Sequence, residues 1–220
     1  MHLTREIQNT EDGSATLFIP QLNEHYHSIH GAIQESQFIF IDNGLVHINK
    51  TQIKIFEVGF GTGLNALLTF DYSQKHNLNI DYTSIEKYPL TPNEYKALNY
   101  PQHLPHLKQV YTEMHIAPWG ITNNISDYFR LTKLKGDLTT TNIGSQYDLV
   151  YQDAFSPDKQ PKLWCIDTFN KLFSAMNKQS VLVTYSAKGE VRRNMQAVGF
   201  NVERLPGPPG KREMLRATKI

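Results

Sequence analysis

The stretch IKIFEVGFGTGLN (53–65) decides the reading of the fold. IKIFEV (53–58) is a β-branched and aromatic run of strand type. Glycines follow it at 59, 61 and 63, and LNALLTFDYSQKH (64–76) then carries a helix pattern. Glycine weakens strand and helix interiors, so three in one turn imply a close approach to the backbone. Working outward, the strand–helix alternation continues. NIDYTSIE (79–86) reads as a strand, TPNEYKALN (91–99) as a helix and YDLVYQD (147–153) as a buried strand. KLWCIDTFNKLFSAM (162–176) has the spacing of an amphipathic helix, and SVLVTYS (180–186) reads as the next strand. VRRNMQAVG (191–199) reads as a helix ended by Gly199. FNVERL (200–205) and REMLRATK (212–219) flank PGPPGK as a closing hairpin.

Such alternation predicts an α/β fold, a parallel sheet with helices on both faces. Ligands of these sheets sit at the carboxyl ends of the strands, where strand order reverses. The terminal hairpin predicts a Rossmann-like, seven-stranded sheet of the S-adenosylmethionine (SAM) methyltransferase type with a C-terminal β-hairpin. Residues 1–50 are expected to form a β-rich N-terminal extension packed on the core, with 51–220 as the methyltransferase domain. FIFI (38–41) reads as a strand in that extension, and Asp12-Gly13 and Asn43-Gly44 as hairpin turns. Residues 118–136 read as an insertion, with Asn123-Asn124 at a hairpin tip.

The glycines are G-x-G-x-G, and Leu64 stands where a dinucleotide fingerprint requires its third glycine. This weakens a pyrophosphate reading and, with it, a nicotinamide oxidoreductase. Glu57 before the turn suits a cofactor with a cationic amine. Glu86, ending the second strand of the series, is positioned for ribose hydroxyls, and Asp137 in GDL (136–138) for an adenine amino group. SAM has all three features. A ligand-free strand–helix turn remains the alternative for the glycines alone. Asp153 ends the next strand candidate, followed by Phe155 and Pro157. A carboxylate there can aim an amine lone pair and take its proton, and an aromatic neighbour packs the substrate. The alternative is a loop aspartate capping the following helix.

Taken together, ESQFIFI (35–41), GFGTGLN (59–65), EKYPLT (86–91), GDL (136–138), DAFSPDKQP with LW (153–164), SAKGEVRRNMQAVGF (186–200) and GKREML (210–215) occur in one order along the chain. In these segments the sequence resembles the SAM-dependent methyltransferase family of tRNA wobble-uridine modification, the methyltransferase half of the bifunctional 5-methylaminomethyl-2-thiouridine enzymes. The resemblance implies methyl transfer to the amino group of 5-aminomethyl-(2-thio)uridine. It implies that Glu57, Gly59, Gly61, Gly63 and Asn65 line the methionine side. Glu86, Asp137 and Leu138 would hold ribose and adenine, and Asp153 would orient the amine beside Phe155. Gln160-Pro161 stands where the family often has Asn-Pro. The bifunctional enzymes carry a second, FAD-dependent domain, so a separate enzyme is expected to supply the aminomethyl precursor.

Net charge is +1 over 220 residues, yet the last 33 hold eight Lys or Arg against three Glu. The expected tRNA contacts are Arg192, Arg193, Lys211 and Arg212, since phosphate is met mostly by Arg and Lys. For Arg192 and Arg193 an ordinary exposed helix face is the alternative. Tyr26, Ser28 and Glu35 are candidates for one wall of the substrate pocket, with a plain structural role the alternative for Ser28 and Tyr26. No metal site is expected from HYHSIH (25–30), which lacks acids or cysteines at ligand spacing. Cys165 is the one cysteine and reads as a core residue. No apolar run has membrane length and no signal-peptide layout opens the chain, so a cytoplasmic location and no membrane partner are expected. The competing readings are a small-molecule amine transferase of the SAM class, methyl or aminopropyl, and a SAM-binding tRNA module without activity.

Overall fold

The computed structural model describes residues 4–220; the first three residues of the expected extension lie outside them. Three antiparallel strands come first: β1 (Glu6–Asn9), β2 (Ala15–Ile19) and β3 (Glu24–His25). Asp12 closes the β1–β2 turn, where its Oδ1 accepts from the Ser14 N–H at 2.9 Å. The expected strand at FIFI is not one. Helix α1 (Ala32–Ser36) runs into a π-helical stretch, Gln37–Asp42, that buries Ile39, Phe40 and Ile41. A short continuous apolar run fits a buried strand and a buried helix equally, and here packing against the core selects the helix. Asn43-Gly44 is no hairpin either. The Asn43 backbone N–H and side-chain amide both donate to the Phe38 carbonyl, at 3.1 and 2.8 Å, and end that helix.

The main sheet begins with β4 (Gln52–Val58), followed by α2 (Leu64–His76) and β5 (Asn79–Glu86). Next come α3 (Pro92–Ala97), α4 (Tyr100–His103) and α5 (Lys108–Ile116). Thr91 and Glu94 form a reciprocal capping box at the start of α3. β6 (Thr122–Ser126) and β7 (Phe129–Lys135) occupy the expected insertion. That expectation is corrected: β7 pairs in parallel with β5 over its whole length and is an integral strand. Asn123 and Asn124 lie within β6, and the tip falls at Asp127-Tyr128. Alternating burial along FRLTKLK, a half-buried strand pattern, marks β7 in the sequence.

The rest follows the alternation: β8 (Tyr147–Gln152), α6 (Ile166–Ala175), β9 (Met176–Thr184), α7 (Gly189–Ala197), β10 (Phe200–Pro206) and β11 (Glu213–Lys219). Sheet order is β10-β11-β9-β8-β4-β5-β7-β6, with β11 antiparallel to β9 and to β10. Six of these strands, the closing hairpin included, are those read from the sequence; β7 completes the expected seven and β6 adds an eighth at the edge. Alternate β4 residues serve two cores, Ile53 and Ile55 one and Phe56 and Val58 the other. From β4 the chain first builds outward through β5 to β7, then crosses back to β8 on the other side. The crevice between the tips of β4 and β8 is therefore the switch point of the sheet.

Candidate active site

A cavity of about 720 Å³ opens over that switch point. The loop after β4 forms its floor. Gly59 has φ 93°. A Cβ there would lie 2.8 Å from the Asp153 carbonyl oxygen, so the tips of β4 and β8 touch through a residue that must be glycine. Gly61 has φ 50°, and its missing side chain leaves room for the Tyr26 ring. Gly63, expected to line the methionine side, is left-handed too and starts α2, but it is not among the lining residues, because His115 and the Phe60 ring fill the space a side chain would take.

The Gly61 N–H donates to Glu86 Oε2 at 3.0 Å, and the Tyr88 N–H to Oε1 at 2.7 Å. Glu86 is thus fixed at the tip of β5 with acceptor capacity left toward the cavity, which it lines. Asp137 and Leu138 line it further along. Lys87 Nζ at 2.9 Å and the Thr139 hydroxyl and N–H hold the Asp137 carboxyl down to about 2.

Asp153 lies at the inner end. Burial pushes its carboxyl up to about 7, against a hydrogen bond from Asn65 Nδ2 to Oδ2 at 2.7 Å. Asn65 Oδ1 is buried and unpartnered, and Asn65 lines the cavity. Glu57, expected beside the cofactor, is not among the lining residues. It is fully buried beneath the floor with both carboxyl oxygens unpartnered. Burial pushes it up to about 8, with Asp153 also raising it and Ser84, Asn65 and Tyr82 acting the other way. Period-2 alternation explains this: Glu57 shares the inward face of Ile53 and Ile55, under α2. Glu57 therefore lies behind Asn65 and Asp153 rather than on the cavity wall.

The extension supplies the opposite wall. Tyr26 packs edge-on against Phe155, with centroids 4.9 Å apart. Arg5 holds the Tyr26 hydroxyl at 2.8 Å, the Tyr88 carbonyl at 2.6 Å and Glu94 at 3.1 Å. His27 meets the Thr62 hydroxyl at 2.8 Å, and burial takes its imidazole down to about 4, so it is neutral. Ser28 and Glu35 line the same wall. Gln160 closes the Asp153 loop by accepting the Phe155 N–H at 2.9 Å, while Trp164 Nε1 donates to the Phe155 carbonyl at 2.8 Å. Ser156 donates to Glu24 of β3.

The basic C-terminal end is mostly engaged. Lys188 pairs with Asp158, Arg204 with Glu213 and Arg216 with Glu203, and Lys219 donates to the Phe173 and Met176 carbonyls. Lys211, expected on an RNA surface, instead lines the cavity and pairs with Glu35. Nothing near Lys211 in sequence announces a counter-ion from the other end of the chain. Arg193 and Arg212 are exposed and Arg192 half-buried, all outside the cavity. Tyr185, Lys159 and Lys162 line the cavity and were not expected there. Tyr185 follows β9 at the ligand end of the sheet, a position that marks it, and both lysines lie in the loop that carries Asp153. Among the described residues no group of three or more His, Cys, Asp or Glu could hold a metal, and no helix is long and apolar enough to cross a membrane.

The model of the S-adenosyl-L-methionine-dependent methyltransferase family matches residues 101–220, more than half of the chain. The chain belongs to this family. This methyltransferase is 29% identical, over its full length, to the tRNA 5-methylaminomethyl-2-thiouridine biosynthesis bifunctional protein MnmC of Pseudomonas syringae. It spans 35% of that relative's length. The crystal structure of MNMC2 from Aquifex aeolicus superposes with a TM-score of 0.82 at 28% identity, covering 99% of this chain and 70% of that one. Spermidine synthase from Thermotoga maritima superposes at 0.55 and 10% identity, over 98% of this chain and 71% of that one, a likeness of fold.

The residues present fit the family's cofactor. Gly59 and Gly61 present backbone without side chains to the cavity. Asn65 Oδ1 is an orphaned buried acceptor for a cationic amine, and Glu86 offers two restrained carboxylate oxygens to a diol.

Proposed function

We propose that this methyltransferase acts on the amino group of 5-aminomethyl-(2-thio)uridine at the wobble position of tRNA, in the cytoplasm. The observation that carries the reading is a recessed carboxyl, Asp153, at the inner end of a cavity walled by Tyr26 and Phe155. In this reading Asn65, Gly59 and Gly61 hold the methionine part of SAM, with Glu57 behind Asn65. Glu86 holds the ribose, and Asp137 and Leu138 the adenine end. SAM, when bound, supplies a sulfonium methyl: the nitrogen nucleophile takes the carbon and the sulfur keeps the electron pair of the broken C–S bond. Asp153 accepts an N–H hydrogen bond that aims the nitrogen lone pair, and takes the proton that the product ammonium releases. Tyr26 and Phe155 hold the substrate and exclude water. The carboxyl sits near 7, so it is ionised above neutrality and can take that proton.

The substrate assignment is supported by the name of the relative, which concerns tRNA 5-methylaminomethyl-2-thiouridine. Arg192, Arg193 and Arg212, with Lys159 and Lys162 at the cavity rim, are the cations we assign to the tRNA backbone. A separate enzyme supplies the primary amine.

The test is methyl transfer from labelled SAM to three acceptors in parallel: tRNA carrying 5-aminomethyl wobble uridine, tRNA lacking it, and polyamines. Label in the first alone is the expected result. Label in polyamines, with none in tRNA, overturns the proposal in favour of a small-molecule amine transferase.

A further inference from the structure

Lys211 lies in the loop that joins β10 to β11, a turn closed by its own N–H on the Pro208 carbonyl at 2.9 Å. Its ammonium is 4.1 Å from the centre of the Tyr185 ring and 2.5 Å from Glu35 Oε1. The Glu35 side chain is only 9% exposed and that of Lys211 29%. The second Glu35 oxygen accepts the Ser28 N–H at 2.6 Å, which locks the carboxylate in place. Tyr185, under the ammonium, donates its hydroxyl to the carbonyl of Ala154, the neighbour of Asp153, at 2.8 Å. Glu35, Lys211, Tyr185 and Asp153 all line the same cavity. A recessed cation is therefore held in place by one carboxylate and one aromatic face, within the field of a second carboxylate.

We propose, resting on the reading that an amine is methylated here, that Lys211 is a positioning residue of the reaction. Fixed by Glu35, it sets a positive charge over the Asp153 end of the cavity, favouring carboxylate over acid and free amine over ammonium. Only a free amine has the lone pair that methyl transfer requires. A cation beside it raises the cost of its protonation, and lowers that of ionising Asp153. Glu35 offsets much of the penalty of burying Lys211 and also limits the effect, since its own charge acts in the opposite sense.

The groups that act on Asp153 come from six parts of the fold. Asn65 of α2 donates a hydrogen bond to it. Glu57 of β4, Tyr82 of β5 and Tyr185 after β9 are each raised by its charge. Glu35 of α1 raises the Asp153 carboxyl and Lys211 lowers it, both on top of burial. Glu35 and Lys211 thus act in opposite directions, so their variants separate a charge role from a mere latch between the two ends of the chain.

The experiment follows the Asp153 carboxyl NMR signal against pH in the ligand-free protein, and the pH profile of kcat/KM with 5-aminomethyl tRNA. Lys211→Met is expected to raise the Asp153 midpoint by roughly one pH unit, and Glu35→Gln to lower it. Lys211→Arg, which keeps the charge, is expected to restore the wild-type midpoint. The acid limb of kcat/KM should move in the same directions, costing Lys211→Met about tenfold near neutral pH, with SAM affinity unchanged. Glu35→Gln keeps side-chain volume and an acceptor for Ser28, so it carries the test alone if Lys211→Met does not fold. Midpoints that stay in place, or that move the same way in both variants, overturn the inference. Shifted midpoints in a wild-type protein that methylates no tRNA uphold the charge arrangement and overturn the proposed substrate.

Discussion

Glu57 and Asp153 lie on the same face of adjacent strand tips, separated by Asn65, and burial drives both carboxyls upward. Their consequences differ because only Asp153 lines the cavity. Asp153→Asn keeps the shape but cannot take a proton. A loss of about 10²–10⁴-fold in kcat with SAM affinity retained is expected, measured by single-turnover transfer and calorimetry. Glu57 acts on stability. Its folded-state value of about 8 lies above its ordinary value of 4.5, so the folded chain holds a proton that the unfolded chain releases. Its contribution is fully present below about pH 4.5 and is lost as pH rises through about 8. Urea unfolding should show stability falling on the order of a few kcal/mol over that window, and Glu57→Gln should flatten the fall. A slope unchanged in Glu57→Gln would assign the titration to other groups. The sequence names both acids, but not which one faces the ligand. That depends on depth along the sheet: Glu57 is level with Tyr151, two residues short of Asp153, which a lone acid before a glycine turn does not reveal.

Among the elements, the glycine turn was legible because its chemistry is local. Gly59→Ala puts a methyl against the Asp153 carbonyl at a left-handed φ, and about 1–3 kcal/mol of stability is expected to be lost, together with SAM affinity, in urea unfolding and calorimetry. Unchanged stability would mean that the β4 and β8 tips can part without cost. The β–α alternation and the closing hairpin were legible for a similar reason, since hydrophobic period and turn residues report on each element by itself. FIFI and β7 were not. FIFI is apolar all round, so its period carries no choice between strand and helix. The polar β6 hairpin ahead of β7 disguised an integral strand as an insertion.

At the scale of the whole molecule, the site depends on pairings between segments far apart in sequence, which is why these pairings were hidden although Tyr26, Ser28 and Glu35 were legible as one wall. Arg5, just before the first strand, ties the start of the chain to Tyr26, Tyr88 and Glu94, and Lys211 ties the last hairpin to Glu35. Arg5→Ala should lower stability by about 2 kcal/mol and raise KM for tRNA more than it lowers kcat, because it frees the Tyr26 wall. An unchanged KM would detach that wall from substrate binding. The basic C-terminal end was legible as charge, but most of it is consumed by partners that composition cannot reveal. Replacing Arg193, Arg212, Lys159 and Lys162 by Ala should reduce the slope of log affinity on log salt by about one for each phosphate no longer neutralised. An unchanged slope would move the RNA surface elsewhere. In the proposed reaction the cavity joins SAM to one amine on one nucleoside. Digesting tRNA after reaction and weighing its nucleosides tests this most directly. A single added methyl on 5-aminomethyl wobble uridine, absent with Asp153→Asn, is the predicted result. A methyl on any other nucleoside would overturn the proposed substrate, and one on that nucleoside with Asp153→Asn at the wild-type rate would remove Asp153 from the reaction.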